Sequence, residues 1–223
     1  MGVSNNTGRI NMPRIVQSAY GGGIIPKTIR KVALDSSVHY LGGFVGRYSG
    51  TEAGLEFGIP TYADDQYIWG FVVGIYDADG VVVTESSNLK GTITAATAFA
   101  PYGYTFSATN DESNTTSADL EFLEIQPVMP GDTLEVTLCT NAGTATSNRG
   151  TTTVAGTTTS TDNLNVSMNI NATAPWCADE TTGVVATANM DFITTKLNMK
   201  QPARSDRVYV DVIRSAMLFQ AAD

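Results

Sequence analysis

Short runs of apolar and β-branched residues, closed by turn residues, recur along most of this chain. In 133–139, for example, Leu134, Val136 and Leu138 alternate with Thr, Glu and Cys. A period of two is typical of strands. Only 16% of residues are charged, against roughly 25% in typical soluble domains, and the abundant Thr, Ser, Asn and Gly suit strands and turns. The pattern predicts an all-β protein.

We expect an antiparallel β-sandwich or barrel over residues 32–223, preceded by an extended arm over residues 1–31. A chain of 223 residues can form one large β domain or two small ones, and its length does not decide between them. The predicted strands are 37–48, 67–76, 81–85, 92–98, 103–108, 120–128, 133–139, 163–171, 183–188, 192–198 and 207–219.

Two turns are well specified by their residues. Asp-Ala-Asp-Gly at 77–80 contains Gly80, which can adopt the positive φ of a tight turn, and Asp side chains that can accept from nearby amides. Pro-Gly-Asp at 130–132 has similar chemistry. Both turns are predicted to close antiparallel hairpins, and the alternation in 133–139 predicts one buried and one wetter face.

Charge is distributed unevenly along the sequence. The first 34 residues hold five bases and no acid, whereas the rest holds eight bases and 22 acids, a net charge of −14. A basic arm on an acidic body favours docking on an acidic surface, although a terminus of incidental charge fits equally well. Five scattered bases are too few to predict nucleic-acid binding.

Residues 140–162 form a Thr- and Gly-rich segment with almost no large apolar side chain. Such a segment cannot bury enough surface to offset its ordering entropy. It predicts a long exposed loop or an edge excursion held by a neighbouring subunit.

Candidate catalytic groups are sparse. His39 is the only histidine, lies in a strand-like run and is predicted to be structural, so a Ser-His or Cys-His site would have no other base. Asp64 and Asp65 could form a carboxylate pair, but adjacent strand residues face opposite ways. The aromatic residues Tyr62, Tyr67 and Trp69 could stack on a sugar, or pack in the core.

Metal and cofactor signals are equally weak. The 77–80 turn resembles the start of a calcium loop, but Gly80 comes two positions too early. Cys139, Cys177 and His39 cannot supply a zinc site built mainly from Cys and His. Whether the two cysteines form a disulfide stays open, because the sequence does not give their separation. We predict no cofactor, no metal site and no enzymatic activity.

No apolar run reaches the roughly 20 residues of a membrane span, and the amino terminus lacks the basic and apolar regions of a secretory signal. We expect the chain to be made and matured without secretion. The four Asn-x-Ser/Thr triplets, including one at Asn171, are then chance products of composition.

The chain has a basic arm, a Thr-, Gly- and Asn-rich β body with the run Pro-Gly-Asp-Thr-Leu-Glu-Val at 130–136, and an apolar strand at 207–213. This layout resembles that of the capsid decoration (cement) proteins and related virion proteins of tailed bacteriophages. The resemblance implies a homo-oligomer, with a trimer favoured, that binds the major capsid protein or other virion proteins. It implies a virion location after assembly in the host cytoplasm, with no direct nucleic-acid or membrane partner.

In that setting the arm would grip the shell through basic and apolar side chains. The residues expected to bind the partner are Arg9, Arg14, Ile24, Ile25, Lys27, Arg30 and Lys31, with Ile15 as a further apolar anchor. Two other functions stay open: a carbohydrate- or cell-surface-binding β module of the tail- or head-fibre type, and a small jelly-roll coat protein. A hydrolase with an unrecognised site is a further class.

Overall fold

The fold comes from a computed structural model that describes residues 12–18, 29–32, 38–47, 57–58, 67–77, 79–83, 92–94, 103–105, 121–139, 153–154, 157–158, 166–171, 173–179, 184–185, 192–194 and 207–213. Every regular element in these stretches is a β-strand, which confirms the all-β prediction. None of them contains a helix that could cross a membrane.

The described residues form seventeen strands. They are β1 (Arg14–Gln17), β2 (Ile29–Val32), β3 (Val38–Tyr40), β4 (Phe44–Arg47), β5 (Phe57–Gly58), β6 (Tyr67–Tyr76), β7 (Thr92–Thr94), β8 (Gly103–Thr105), β9 (Phe122–Pro127), β10 (Thr133–Cys139), β11 (Thr153–Val154), β12 (Thr157–Thr158), β13 (Val166–Met168), β14 (Cys177–Asp179), β15 (Val184–Val185), β16 (Phe192–Thr194) and β17 (Arg207–Val212).

The strands form four sheets. A seven-stranded sheet has the order β1-β10-β17-β16-β13-β15, with β14 also paired to β10. A five-stranded sheet has the order β2-β9-β6-β4-β5, and a three-stranded sheet has the order β3-β8-β7. The pair β11-β12 lies within the Thr-rich segment, of which the structure describes little else. Among the described pairs all are antiparallel except β10-β14.

The five-stranded sheet contributes to two buried clusters, one of them shared with the seven-stranded sheet. In that shared cluster Phe44 of β4 meets Phe192 of β16, with ring centroids 5.2 Å apart. Burying a side chain of this size contributes about 1.5–3 kcal/mol. The buried members are Phe44, Ile68, Phe71, Val128, Leu134, Val136, Ile170, Ala178, Phe192, Val210 and Val212.

The second cluster joins the five-stranded sheet to the three-stranded sheet. It is centred on Tyr104 of β8, which is fully buried, and its other buried members are Val45, Val72, Ile75, Val83, Leu123 and Ile125. Because β6 supplies both clusters, its two faces are buried. This explains why 67–76 is continuously apolar rather than alternating.

The predicted turn at 77–80 is confirmed. Gly80 has φ of +75°, and Asp77 Oδ1 accepts from the amides of Asp79 at 3.1 Å and Val81 at 2.8 Å. The chain then returns beside β6, where Val83 N–H donates to the Ile75 carbonyl at 2.7 Å. The Asp side chain therefore holds the hairpin closed, as its sequence indicates.

The turn at 130–132 is also confirmed, with Gly131 at φ of +81° and Asp132 Oδ2 accepting from Met129 N–H at 2.8 Å. The predicted hairpin is wrong, because β9 belongs to the five-stranded sheet and β10 to the seven-stranded one. The turn instead carries the chain from one sheet to the other. Val212 N–H donates to the Asp132 carbonyl at 3.1 Å, which ties the corner to the end of β17.

The wetter face predicted for β10 is likewise wrong. Thr133, Glu135 and Thr137 are buried to nearly the same extent as Leu134 and Val136 on the other face. Pairing on both edges does not cover a face, and the cover comes from side chains. Arg14 lies over Glu135, Thr133 Oγ1 donates to Asp211 Oδ1 at 2.5 Å, and Cys139 is buried with Trp176.

Residues 37–48 were predicted as one strand and form two, β3 and β4, in different sheets. The break falls at Gly42, whose φ is +80°, and Gly43 N–H donates to the Tyr40 carbonyl at 2.8 Å in a tight turn. The sequence carries a signal for this turn that the strand prediction passed over, because Gly42 and Gly43 interrupt the apolar run and a Gly-Gly pair is typical of turns.

Cys139 and Cys177 form a disulfide between β10 and its parallel neighbour β14, with Cα atoms 5.8 Å apart. Both cysteines are buried with Trp176 and Ala174. Tyr40 of the three-stranded sheet packs on Trp176, with ring centroids 4.9 Å apart. The cluster therefore joins the seven-stranded and three-stranded sheets.

Candidate interaction site

Residues 12–17, which we call the docking segment, lie along one edge of the seven-stranded sheet. Within the described part of the chain, β1 is the end strand of that sheet and pairs only with β10. The register places Arg14 opposite Glu135, Ile15 opposite Leu134 and Gln17 opposite Thr133. This short ladder thus holds together two segments that lie more than a hundred residues apart in the sequence.

An ion pair reinforces this ladder. Arg14 Nη2 donates to Glu135 Oε2 at 2.5 Å. The Glu135 side chain is only 7% exposed, whereas that of Arg14 is 66% exposed. A carboxylate this deeply buried requires a compensating charge or hydrogen bonds. The guanidinium covers the carboxylate from the solvent side.

Apolar contacts complete the docking of this segment. Ile15 packs against the cluster shared by the seven-stranded and five-stranded sheets. Pro13 is buried, and Met12 and Pro13 approach Gly42 so closely that a Cβ at Gly42 would lie 2.9 Å from Met12 Cα and 3.1 Å from Pro13 Cδ. Residues 12–17 are thus received by the edge of β10, the Glu135 carboxylate and the side-chain-free surface at Gly42. We call this receiving site the docking groove.

The residues predicted to bind a partner are only partly described. Arg14 is engaged with Glu135 of the same chain. Arg30 and Lys31 lie in β2, in register with Glu124 and Leu123 of β9. The remaining predicted residues, Arg9, Ile24, Ile25 and Lys27, lie outside the described residues.

Parts of the predicted arm are therefore strands, in two different sheets. β1 joins the seven-stranded sheet and β2 joins the five-stranded sheet. Sequence reasoning missed Gly42 and Glu135 as the receiving residues. The isolated acid at the centre of an otherwise apolar or Thr-rich strand, 133–139, is the signal that could have indicated a cationic neighbour for Glu135.

Other candidate groups have structural surroundings. His39 is buried in β3, opposite Tyr104 of β8, and the Tyr104 hydroxyl donates to the buried carboxylate of Glu121. Trp69 is half-buried against the cluster around Tyr104. Asn171 is buried, and its Oδ1 accepts from the amides at 173 and 174 at 2.9 and 2.8 Å.

The remaining sequence candidates lie beyond what the structure describes. Asp64, Asp65 and Tyr62 fall outside the described residues, as does the side chain of Tyr67. No group of three or more His, Cys, Asp or Glu side chains suited to a metal ion occurs within the described stretches. Asp77 Oδ1, from the calcium-like sequence, is occupied by two backbone amides of the hairpin.

Compared with known proteins, the chain matches no family model, no curated protein and no solved structure. The candidate site therefore rests on the geometry of the docking segment and its groove.

Proposed function

We propose that this chain is a structural protein of a virus particle, which binds the outer surface of a capsid and stabilises the shell. The partner is the major capsid protein or another virion protein, and the working form is a small homo-oligomer, with a trimer favoured. The chain then acts through shape and adhesion, with many weak contacts repeated over a shell adding up by multivalency.

The observation that carries this proposal is the contrast between a basic amino-terminal segment and an acidic β body. Within the described residues, the segment lies along a sheet edge at β1 and again at β2. In this proposal the shell is contacted by the remaining bases of the segment and by Ile24 and Ile25. Burial of apolar surface supplies most of the affinity.

The proposed architecture is a β-sandwich of the seven-stranded and five-stranded sheets. The shared cluster from Phe44 to Val212 supports this arrangement. The three-stranded sheet then covers the outer face of the five-stranded one, supported by the cluster around Tyr104.

A carbohydrate- or cell-surface-binding module is the alternative function. It requires an exposed aromatic platform near Tyr62, Tyr67 and Trp69. The half-buried position of Trp69 against apolar residues favours the structural role over this alternative. A small jelly-roll coat protein is a second alternative, compatible with the same sheets.

The first test follows the native protein through a density gradient of lysate from its natural source. We expect it to sediment with a particle that carries a capsid shell. Sedimentation as free protein, with no particle fraction containing it, would contradict the proposal. Recovery on a glycan-bearing surface instead would support the alternative module.

A second test rebinds purified protein to shells from which it has been removed. Ile24→Asp with Ile25→Asp should weaken binding by at least about tenfold, because charges replace buried apolar contacts. The matched control, Val81→Asp with Val82→Asp, changes two exposed valines of the 77–80 hairpin and should bind as the unmodified chain does. Equal losses in both variants would contradict a role for the amino-terminal segment.

A further inference from the structure

The docking groove is shaped for residues 12–17 of this same sequence. It combines a buried carboxylate at Glu135, an apolar site for Ile15 and a side-chain-free surface at Gly42. We propose that β1 is an exchangeable strand: in assembled protein, residues 12–17 of each copy dock on β10 of a second copy. This deepens the proposed homo-oligomer and does not depend on the binding of a shell.

The first support is the way β1 is held. In the described part of the chain it is a terminal strand, bonded through its backbone to β10 alone. Eleven residues, 18–28, separate β1 from β2, which belongs to a different sheet. A chain of that length reaches at most about 40 Å, enough to pass to an adjacent subunit.

The second support is the identity of the occupant. Every copy of the chain carries the same groove, so an exchanged strand makes the contacts that the internal strand makes, including Arg14 with Glu135. Exchange of an identical element is therefore a low-cost route to an oligomer. The basic segment and the acidic body also attract each other between copies.

Mixed cysteine variants test the exchange in full-length protein. Arg14→Cys is mixed with Glu135→Cys, and the mixture is oxidised. Positions 14 and 135 are direct partners in the antiparallel register, a spacing that suits a disulfide. In a mixed dimer the second exchanged contact joins the unchanged Arg14 of one copy to the unchanged Glu135 of the other. The native cysteines do not compete, because they are already bonded to each other.

We expect a covalent dimer on a non-reducing gel, at several times the yield of a control mixture. The control combines Glu135→Cys with Val81→Cys, because Val81 is 56% exposed on a different hairpin and reports random collisions. Equal yields in the two mixtures, or no dimer in either, would overturn the proposal.

Charge exchange gives an independent measurement by sedimentation. Arg14→Glu and Glu135→Arg, each alone, should weaken self-association by at least about tenfold, because each leaves like charges in the groove. Mixing the two variants should raise association well above that of either variant alone, since a segment can then meet an opposite charge on a copy of the other variant. Restoration is complete in a dimer, whereas a ring of three keeps one like-charged contact. The double variant, with both changes in one chain, should associate as the unmodified chain does.

The result that would overturn the exchange is a mixture that stays dissociated while the double variant associates, because docking would then occur within one chain. A monomeric unmodified protein at every concentration would also overturn it. A monomeric protein would also remove the homo-oligomer from the proposed function. Neither result bears on shell binding, which is measured separately.

Discussion

Among single residues, Gly42 carries two constraints at once. Its φ is +80°, a conformation that residues with a Cβ adopt only at a cost. A Cβ there would also lie 2.9 Å from the backbone Cα of Met12, a contact that a flexible side chain could not relieve. Gly42 therefore links a local turn to the docking segment.

We predict that Gly42→Ala lowers the free energy of unfolding by about 2–4 kcal/mol, from backbone strain plus displacement of Met12. Gly80→Ala is the matched control, because Gly80 has a similar φ of +75° but no atom within 4 Å of the added Cβ. The control should lose only about 1–2 kcal/mol. Urea unfolding measures both, and equal losses would mean that Met12 does not pack on Gly42.

These two glycines also show what sequence can reveal at this scale. Gly80 was predicted because Asp77 and Asp79 beside it specify a turn. Gly42 was not, because its role depends on Met12, which reaches it only in the folded chain. Glu135 was missed for the same reason, since its partner Arg14 lies 121 residues away.

At the scale of elements, the strands best predicted were those with the strongest local pattern. β6 and β10 have the bounds expected from their apolar runs. The short strands β1, β2 and β14 were not predicted, because edge and junction strands of three or four residues carry little periodicity. Their pairing partners, rather than their own sequences, define them.

Turn chemistry predicted where the chain reverses but not which strands pair afterwards. The 77–80 turn brings Val82 back beside Tyr76. The 130–132 turn sends β10 into another sheet. Both have a positive-φ glycine and an Asp that accepts a backbone amide. The difference arises from distant strands, β6 and β17, which bind the two sides of the second turn.

The Cys139–Cys177 bond is the element-scale feature with the clearest energetic consequence. It closes a loop with a sequence separation of 38, for which chain entropy in the unfolded state gives about 4 kcal/mol of stabilisation. We predict a loss of stability of up to about this size for Cys139→Ala with Cys177→Ala, measured by urea unfolding. An unchanged midpoint would contradict it.

Reductant provides the control for that prediction. Both cysteines are at most 1% exposed, so reductant alone should not open the bond in folded protein, whereas reductant with urea should. Disulfides of this kind are rare in a reducing cytosol. Under the proposed function, the bond therefore forms after release of the protein from the host cytoplasm.

For the whole molecule, composition and period predicted the all-β class, because they depend on local preferences that every strand shares. They did not predict how the sheets divide the chain. Phe44 and Tyr40 are only four residues apart but belong to different clusters. Phe44 lies in the cluster shared by the seven-stranded and five-stranded sheets, and Tyr40 packs on the cluster beside the disulfide. Tertiary packing decides which cluster each of these residues joins.

Three buried clusters connect the three larger sheets in pairs. One joins the seven-stranded and five-stranded sheets, a second joins the five-stranded and three-stranded sheets, and the third places Tyr40 of the three-stranded sheet on Trp176. No one of these sheets can therefore separate without exposing two clusters to water, at about 25 cal/mol per Å² of apolar surface. This arrangement favours one cooperative unit over two independent domains.

The chain's two tryptophans test this directly. Trp69 packs on the cluster around Tyr104, and Trp176 packs beside the disulfide. Trp176→Phe leaves Trp69 as the sole tryptophan, and Trp69→Phe leaves Trp176. In each variant, urea unfolding should give the same midpoint by tryptophan fluorescence and by far-ultraviolet circular dichroism, because a two-state unit loses all its clusters together. A fluorescence transition separated from the circular dichroism transition in either variant would show that one cluster melts alone, and the chain would then be two domains.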